Sequence, residues 1–155
     1  MSKYLLSIIV LGIVIGFSSC GDDDEMNSVT GKWQGIEMAS QAFITGIPIP
    51  VVDETDVDFN TQLQFNDDAS MLVDDEDDDF HEEGTWEYAD GKKKIKITGA
   101  FPDNEILDPT ETLEIKELTS SRLVLYVEKN VDFEYEGEPV NATIKVTLKF
   151  DRVSN

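Results

Sequence analysis

The stretch Thr143-Ile144-Lys145-Val146-Thr147-Leu148-Lys149-Phe150-Asp151 puts an apolar residue at every second position and Thr, Lys or Asp between them. Side chains of a strand point alternately to its two faces, so this pattern predicts a β-strand with one buried and one wet face. The same period of two runs back through the chain. Leu63 and Phe65 alternate with Gln62 and Gln64, Phe59 and Thr61 share their apolar side, and Met71 and Val73 follow the turn Asn66-Asp67-Asp68. Trp86 and Tyr88 alternate with Thr85 and Glu87; Asp90-Gly91 is a hairpin-turn signal, and Ile95 and Ile97 continue beyond it. Leu113 and Ile115, the turn Thr119-Ser120-Ser121, and then Leu123, Leu125 and Val127 extend the series. It passes through Val131, Phe133 and Tyr135 to a reversal at Glu136-Gly137-Glu138-Pro139. With an opening segment over residues 32–39 this makes about eight strands, and no stretch after residue 25 carries a helical period. Hairpins with one apolar face must hide their edges, which predicts an all-β fold, an antiparallel up-and-down barrel or a two-sheet sandwich.

At the other end of the chain, Lys3 precedes an apolar stretch over residues 4–15, and Gly16-Phe17-Ser18-Ser19 leads into Cys20. This is the layout of a secretory signal peptide. The stretch falls short of the roughly 20 apolar residues that span hydrocarbon, and Gly21-Asp22-Asp23-Asp24-Glu25 keeps the neighbouring thiol from being buried. A site ending in Cys resembles a bacterial lipobox. The resemblance implies cleavage after residues 1–19, lipidation of Cys20, an acidic tether over residues 20–28 and a folded domain over residues 29–155. Two or three acyl chains hold a protein durably at a membrane where one binds marginally. An acidic tract just after the lipidated cysteine resembles the export signal of Bacteroidota lipoproteins, which implies the bacterial outer membrane and exposure at the cell surface.

Cys20 is the only cysteine, so no intramolecular disulfide is available and stability must come from the core. The chain holds 33 Asp and Glu against 12 Lys and Arg, a formal charge of −21; residues 1–19 contain one Lys and no acid, so the chain from Cys20 onward carries −22. That balance argues against nucleic acid and against direct adsorption to anionic headgroups. It leaves a basic protein as a partner class.

Gly31-Lys32-Trp33 at the start of the first strand resembles the Gly-x-Trp motif that opens lipocalins. Gly84-Thr85-Trp86, the segment Glu117-Leu118-Thr119-Ser120-Ser121-Arg122-Leu123 and the ending Leu148-Lys149-Phe150-Asp151-Arg152-Val153 resemble pieces of the lipocalin-like domains of Bacteroidota lipoproteins, in the same order. The resemblance implies a lipocalin-like barrel over about residues 29–154, closed by Arg152 packing over Trp33. It also implies a binding function for a small apolar or amphipathic molecule. The expected lining is Phe59, Leu63, Phe65, Met71, Trp86, Tyr88, Leu125, Ile144 and Leu148, although in a small barrel such side chains can simply fill the interior.

Residues 41–52 interrupt the pattern. Phe43, Ile44, Ile47, Ile49, Val51 and Val52 are apolar, yet Gly46, Pro48 and Pro50 exclude a central strand. In lipocalins the first loop lies over the barrel mouth, which adds Phe43 and Ile47 to the expected ligand contacts; the alternative is an edge strand or plug on the core. In either arrangement the segment should be shielded from water. Catalytic constellations are missing: His81, the single histidine, sits in the acidic run over residues 74–83, and no Gly-x-Ser-x-Gly or phosphate-binding loop occurs. The acidic run fails the calcium-loop template, with Asp79 where the turn glycine belongs and Thr85 where the bidentate glutamate belongs. It reads as a solvated, self-repelling loop. No enzyme, metal or cofactor is expected; the alternative to a ligand carrier is an acidic interaction or envelope accessory module with a filled barrel.

Overall fold

The computed structural model describes residues 28–75, 80–100, 110–135 and 138–154. Every regular element among them is a strand: β1 (Gly31–Ile44), β2 (Val52–Asp56), β3 (Thr61–Phe65), β4 (Ser70–Asp75), β5 (Phe80–Ala89), β6 (Lys94–Thr98), β7 (Thr110–Leu118), β8 (Arg122–Tyr135) and β9 (Glu138–Arg152). Each pairs antiparallel with its neighbour from β3 to β9, and β9 returns to β1 in a register from Trp33↔Arg152 to Ile44↔Ala142. That last pairing closes an eight-stranded barrel, β1-β3-β4-β5-β6-β7-β8-β9, and removes the edges an open sheet would expose. The ninth strand, β2, lies beside β1 opposite Met38 to Ala42, while β3 pairs with Gly31 to Gln34. The sequence pattern did not show β2, because its five residues are all exposed and carry no alternation of burial.

A one-residue irregularity in β1 decides which side chains enter the barrel. Residues directly opposite in an antiparallel pair share a face. Trp33 and Gly35 face inward opposite Arg152 and Phe150, but the register then shifts between Gly35 and Glu37. Beyond that bulge Glu37 lies outside, bonded to the Lys149 ammonium at 2.5 Å, and Met38, Ser40, Ala42 and Ile44 lie inside opposite Leu148, Val146, Ile144 and Ala142. An extra residue moves every later side chain to the other face.

The turns follow the local chemistry. At Asp90-Gly91-Lys92 the backbone is left-handed throughout, with φ of 52°, 63° and 67°, as a tight hairpin requires. The Lys93 amide closes that turn on the Asp90 carbonyl at 3.3 Å. The acidic run is not the loop expected of it: Asp74 and Asp75 are in β4, and residues 80–83 open β5, in register Asp74↔His81 and Asp75↔Phe80. Residues 76–79 lie outside the described residues. His81 is solvated, as expected, but on a strand, with its Nδ1 3.8 Å from Asp74.

Gly84 shows why the Gly-Thr-Trp segment begins as it does. A Cβ there would stand 2.5 Å from the Thr98 carbonyl oxygen and 2.7 Å from both the backbone nitrogen and the Cβ of Ala100, a buried residue. Backbone atoms cannot swing aside. Gly84→Ala is therefore expected to destabilise the domain by about 1 to 3 kcal/mol, the usual cost of overpacking. Urea denaturation of the variant should show a lowered midpoint.

Candidate functional site

The two ends of the barrel differ. The connections at residues 66–69, 90–93 and 119–121 meet the chain ends at one of them, which we call the closed end. There Trp33 is fully buried and its indole Nε1 donates to the Val29 carbonyl at 2.7 Å. The Val29 amide donates in turn to the Tyr88 hydroxyl at 3.0 Å, which draws the incoming chain across the barrel floor. Arg152 lies over the Trp33 ring, its guanidinium carbon 4.1 Å from the ring centroid, and donates to the carbonyls of Thr30 at 2.8 Å and Ser28 at 2.6 Å. Gly31 makes room for it: φ is +126°, and a Cβ would meet the guanidinium at 2.7 Å.

Above this floor the interior is filled. Phe65, Trp86 and Tyr88 stack edge to face at centroid distances of 5.5 and 5.3 Å, and Phe59 meets Phe150 in the same way at 5.8 Å. Along β8 and β9 the facing pairs Leu123/Phe150, Leu125/Leu148 and Val127/Val146 are all buried. The next facing pair is Lys129 and Ile144, and both are half-buried. Met38, Ser40, Ala42 and Ile44 on the inner face of β1 are likewise only half-buried. Among the described residues the inward side chains are thus mostly buried toward the closed end and, Ala142 and Glu111 apart, half-buried toward the other.

The accessible half is partly polar. Glu111 of β7 faces inward opposite Ile97, and its carboxylate meets the Lys129 ammonium at 2.5 Å while accepting the Thr112 amide at 3.0 Å. On the opposite wall the Thr61 hydroxyl donates to Asp75 at 2.6 Å. Asp53, Glu54 and Asp56 of β2, Asp74 of β4 and Glu82 and Glu83 of β5 gather at this open end, whereas Lys32, Lys92, Lys93 and Arg122 lie at the closed end. Among the described residues no group of three or more His, Cys, Asp or Glu is placed to hold a metal ion.

The sequence model of the lipocalin-like domain family matches residues 29–125. The chain belongs to that family. The match takes in Gly31-Lys32-Trp33, Gly84-Thr85-Trp86 and the β7–β8 turn, and ends before β9. Among solved structures, a lipocalin-like protein from Bacteroides uniformis shares 16% identity, with 80% of this chain and 97% of that chain covered and a TM-score of 0.48. No curated protein matches the chain.

Within this lipocalin-like domain the expected lining residues separate into groups. Leu63, Phe65, Met71, Trp86, Leu125 and Leu148 are buried in the filled half, while Phe59, Tyr88 and Ile144 are partly buried against the core. Phe43 is outside the barrel: the β1 bulge places it on the outer face, under the Lys145 ammonium at 5.0 Å. Ile47 stands at the tip of the β1–β2 hairpin, 42% exposed, next to Ile49 at 67%. The segment over residues 41–52 is therefore not shielded from water as the sequence suggested. Its first four residues complete β1, and the Val51 amide returns to Ala42 at 2.7 Å to start the next strand. Prolines are tolerated there because they lie in the connection between β1 and β2 and not inside a central strand. Cys20 and the residues before it lie outside the described residues.

Glu111 and Lys129 escaped the sequence reading although their signal was present. Lys129 has the same parity as Leu123, Leu125, Val127 and Val131, and Glu111 that of Leu113 and Ile115. A charge inside an apolar row of a strand marks an interior polar site.

The closure at Trp33 and Arg152 can be measured directly. A double-mutant cycle of Trp33→Phe and Arg152→Ala should show a coupling of about 0.5 to 2 kcal/mol, the range of a partly desolvated cation–π contact. Arg152→Lys should recover little of the loss, because a single ammonium cannot hold both carbonyls in the planar fork that arginine presents.

Proposed function

We propose that this domain binds a small apolar or amphipathic molecule in the open half of its barrel. The observation that supports this reading is the asymmetric interior: inward side chains are buried along β8 and β9 up to Val127 and Val146, and beyond that level Lys129, Ile144, Ala42 and Ile44 are only half-buried, with Ala142 alone of β9 buried among them. An eight-stranded barrel is wide enough either to be filled by its side chains or to hold one small ligand. Binding of this kind requires no catalysis, and we assign none. We further propose that Cys20 is acylated and holds the protein at the outer membrane, exposed at the cell surface. Because the chain enters at Val29 on the closed end, the mouth would then face away from the bilayer.

The acidic rim supports a second reading, in which the mouth docks a basic protein and no small molecule enters. Salt separates the two: screening releases an exposed electrostatic partner but leaves an apolar ligand in place. We expect the neutral dye Nile red to bind with a blue-shifted emission that persists in molar salt. Ile144→Trp, which fills the accessible half, should abolish that signal with little change in the denaturation midpoint. Leu123→Ala, in the packed half, should cost about 2 to 5 kcal/mol. Cys20→Ser should abolish incorporation of an alkyne fatty acid; labelling of that variant would remove the anchor from the account.

A further inference from the structure

Closure of the barrel leaves one strand over. The eight strands of the wall pair on both sides, whereas β2 has β1 as its one neighbour. The edge of β2 that turns away from β1 carries no strand among the described residues, and all five residues of β2 are exposed. A row of unpaired N–H and C=O groups is a template for another extended chain. Two further observations mark this edge. Of the six large apolar side chains exposed among the described residues, five lie over residues 47–57, in β2 and its flanks: Ile47, Ile49, Val51, Val52 and Val57. Apolar surface gathered in one place marks an interaction site, where scattered single residues do not. The charge there also has one sign. No Lys or Arg occurs in the sequence between Lys32 and Lys92, so β2 to β5 carry acids, one histidine and no permanent cation. Asp53 accepts from the Gln41 amide group at 3.2 Å and Asp56 from the Asp58 amide at 2.9 Å, but neither they nor Glu54 meets a Lys or Arg among the described residues.

We propose that β2 is a docking edge for a basic partner protein, which adds an extended segment to it as a further strand. Addition of this kind takes its affinity from main-chain hydrogen bonds and its selectivity from alternate side chains. Glu54 and Asp56 share one face of β2 and Asp53 takes the other, so the incoming segment meets carboxylates on both faces and is selected by Lys or Arg. Val51 and Val52, at the hairpin end of the strand, offer apolar contact beside those charges. A second copy of this chain is a poor occupant, because two β2 edges would set like charges opposite each other. A neutral lipid surface would cover the apolar tip but leave the backbone groups of β2 without partners. The inference is independent of the carrier reading, since a strand added to β2 needs no room inside the barrel.

The test titrates the protein with a fluorescein-labelled peptide of alternating lysine and valine and reads its anisotropy. One control peptide carries glutamate in place of lysine; a second keeps the lysines but has every backbone amide N-methylated. The lysine peptide should bind, weaken as salt is raised, and slow amide hydrogen exchange over residues 52–56. Both control peptides should bind about tenfold less tightly or worse. Glu54→Lys should weaken the lysine peptide about fivefold more than Glu117→Lys, which makes the same charge change at an exposed position of β7. Equal binding of the methylated peptide would reduce the contact to charge attraction and overturn strand addition. Equal effects of the two substitutions would place the contact away from β2 and overturn the proposal as well. So would failure of the lysine peptide to bind, whether the apolar tip then takes up neutral phosphatidylcholine vesicles or draws two copies of the chain together.

Discussion

Closure of the barrel depends on one side chain, because Arg152 joins the last strand to the first residues of the domain. Its ring contact with Trp33 and its bonds to the carbonyls of Ser28 and Thr30 tie together groups more than 100 residues apart in sequence. Contacts of such separation are entropically costly to form, and a chain with a single cysteine has no internal disulfide to assist them. The long β1–β9 register carries the backbone part of that closure, and the aromatic floor carries the apolar part. Once the floor is set, each inward row stacks on the one below it.

The same construction explains why the barrel has a filled half and an accessible half. Large side chains such as Trp33, Phe65, Trp86 and Phe150 come from positions near the closed end, where the interior is consumed by aromatic volume. Toward the open end the inward residues of β1 become Met38, Ser40, Ala42 and Ile44, which are mostly smaller, and Lys129 and Glu111 interrupt the apolar rows. The closed-end turns carry both signs, Asp67, Asp68 and Asp90 beside Lys92, Lys93 and Arg122, whereas Asp53, Glu54 and Asp56 of β2 lie toward the other end.

Much of this was legible in the sequence because strand alternation is a local signal. The apolar parity of Ile144, Val146, Leu148 and Phe150 marked the inner face of β9, and Asp90-Gly91 marked the turn between β5 and β6. The short family motifs were legible too, and the structure supplies their physical reasons in the space Gly31 leaves for Arg152 and Gly84 leaves for Thr98. The β1 bulge was not legible. A single inserted residue changes no composition, yet it reverses the face of everything after it; Phe43, expected in a loop over the mouth, instead continues β1 beyond the bulge and lies on the outer face. The exposed Ile47 and Ile49 were misleading for a different reason: hydrophobicity without a period reports an apolar segment, not where it packs. The acidic run shows the converse, since dense like charge argued for a loop while cross-strand pairing on β4 and β5 carried it on strands at its ends.

The central claim is that the barrel interior is packed below Lys129 and open to a guest above it. Methyl-resolved NMR during titration with dodecanamide measures this most directly. The account predicts shifts confined to Ile44, Val131 and Ile144, with Leu113, Leu123 and Leu125 unmoved. Shifts concentrated at the three leucines, or none at saturating amphiphile, would contradict it.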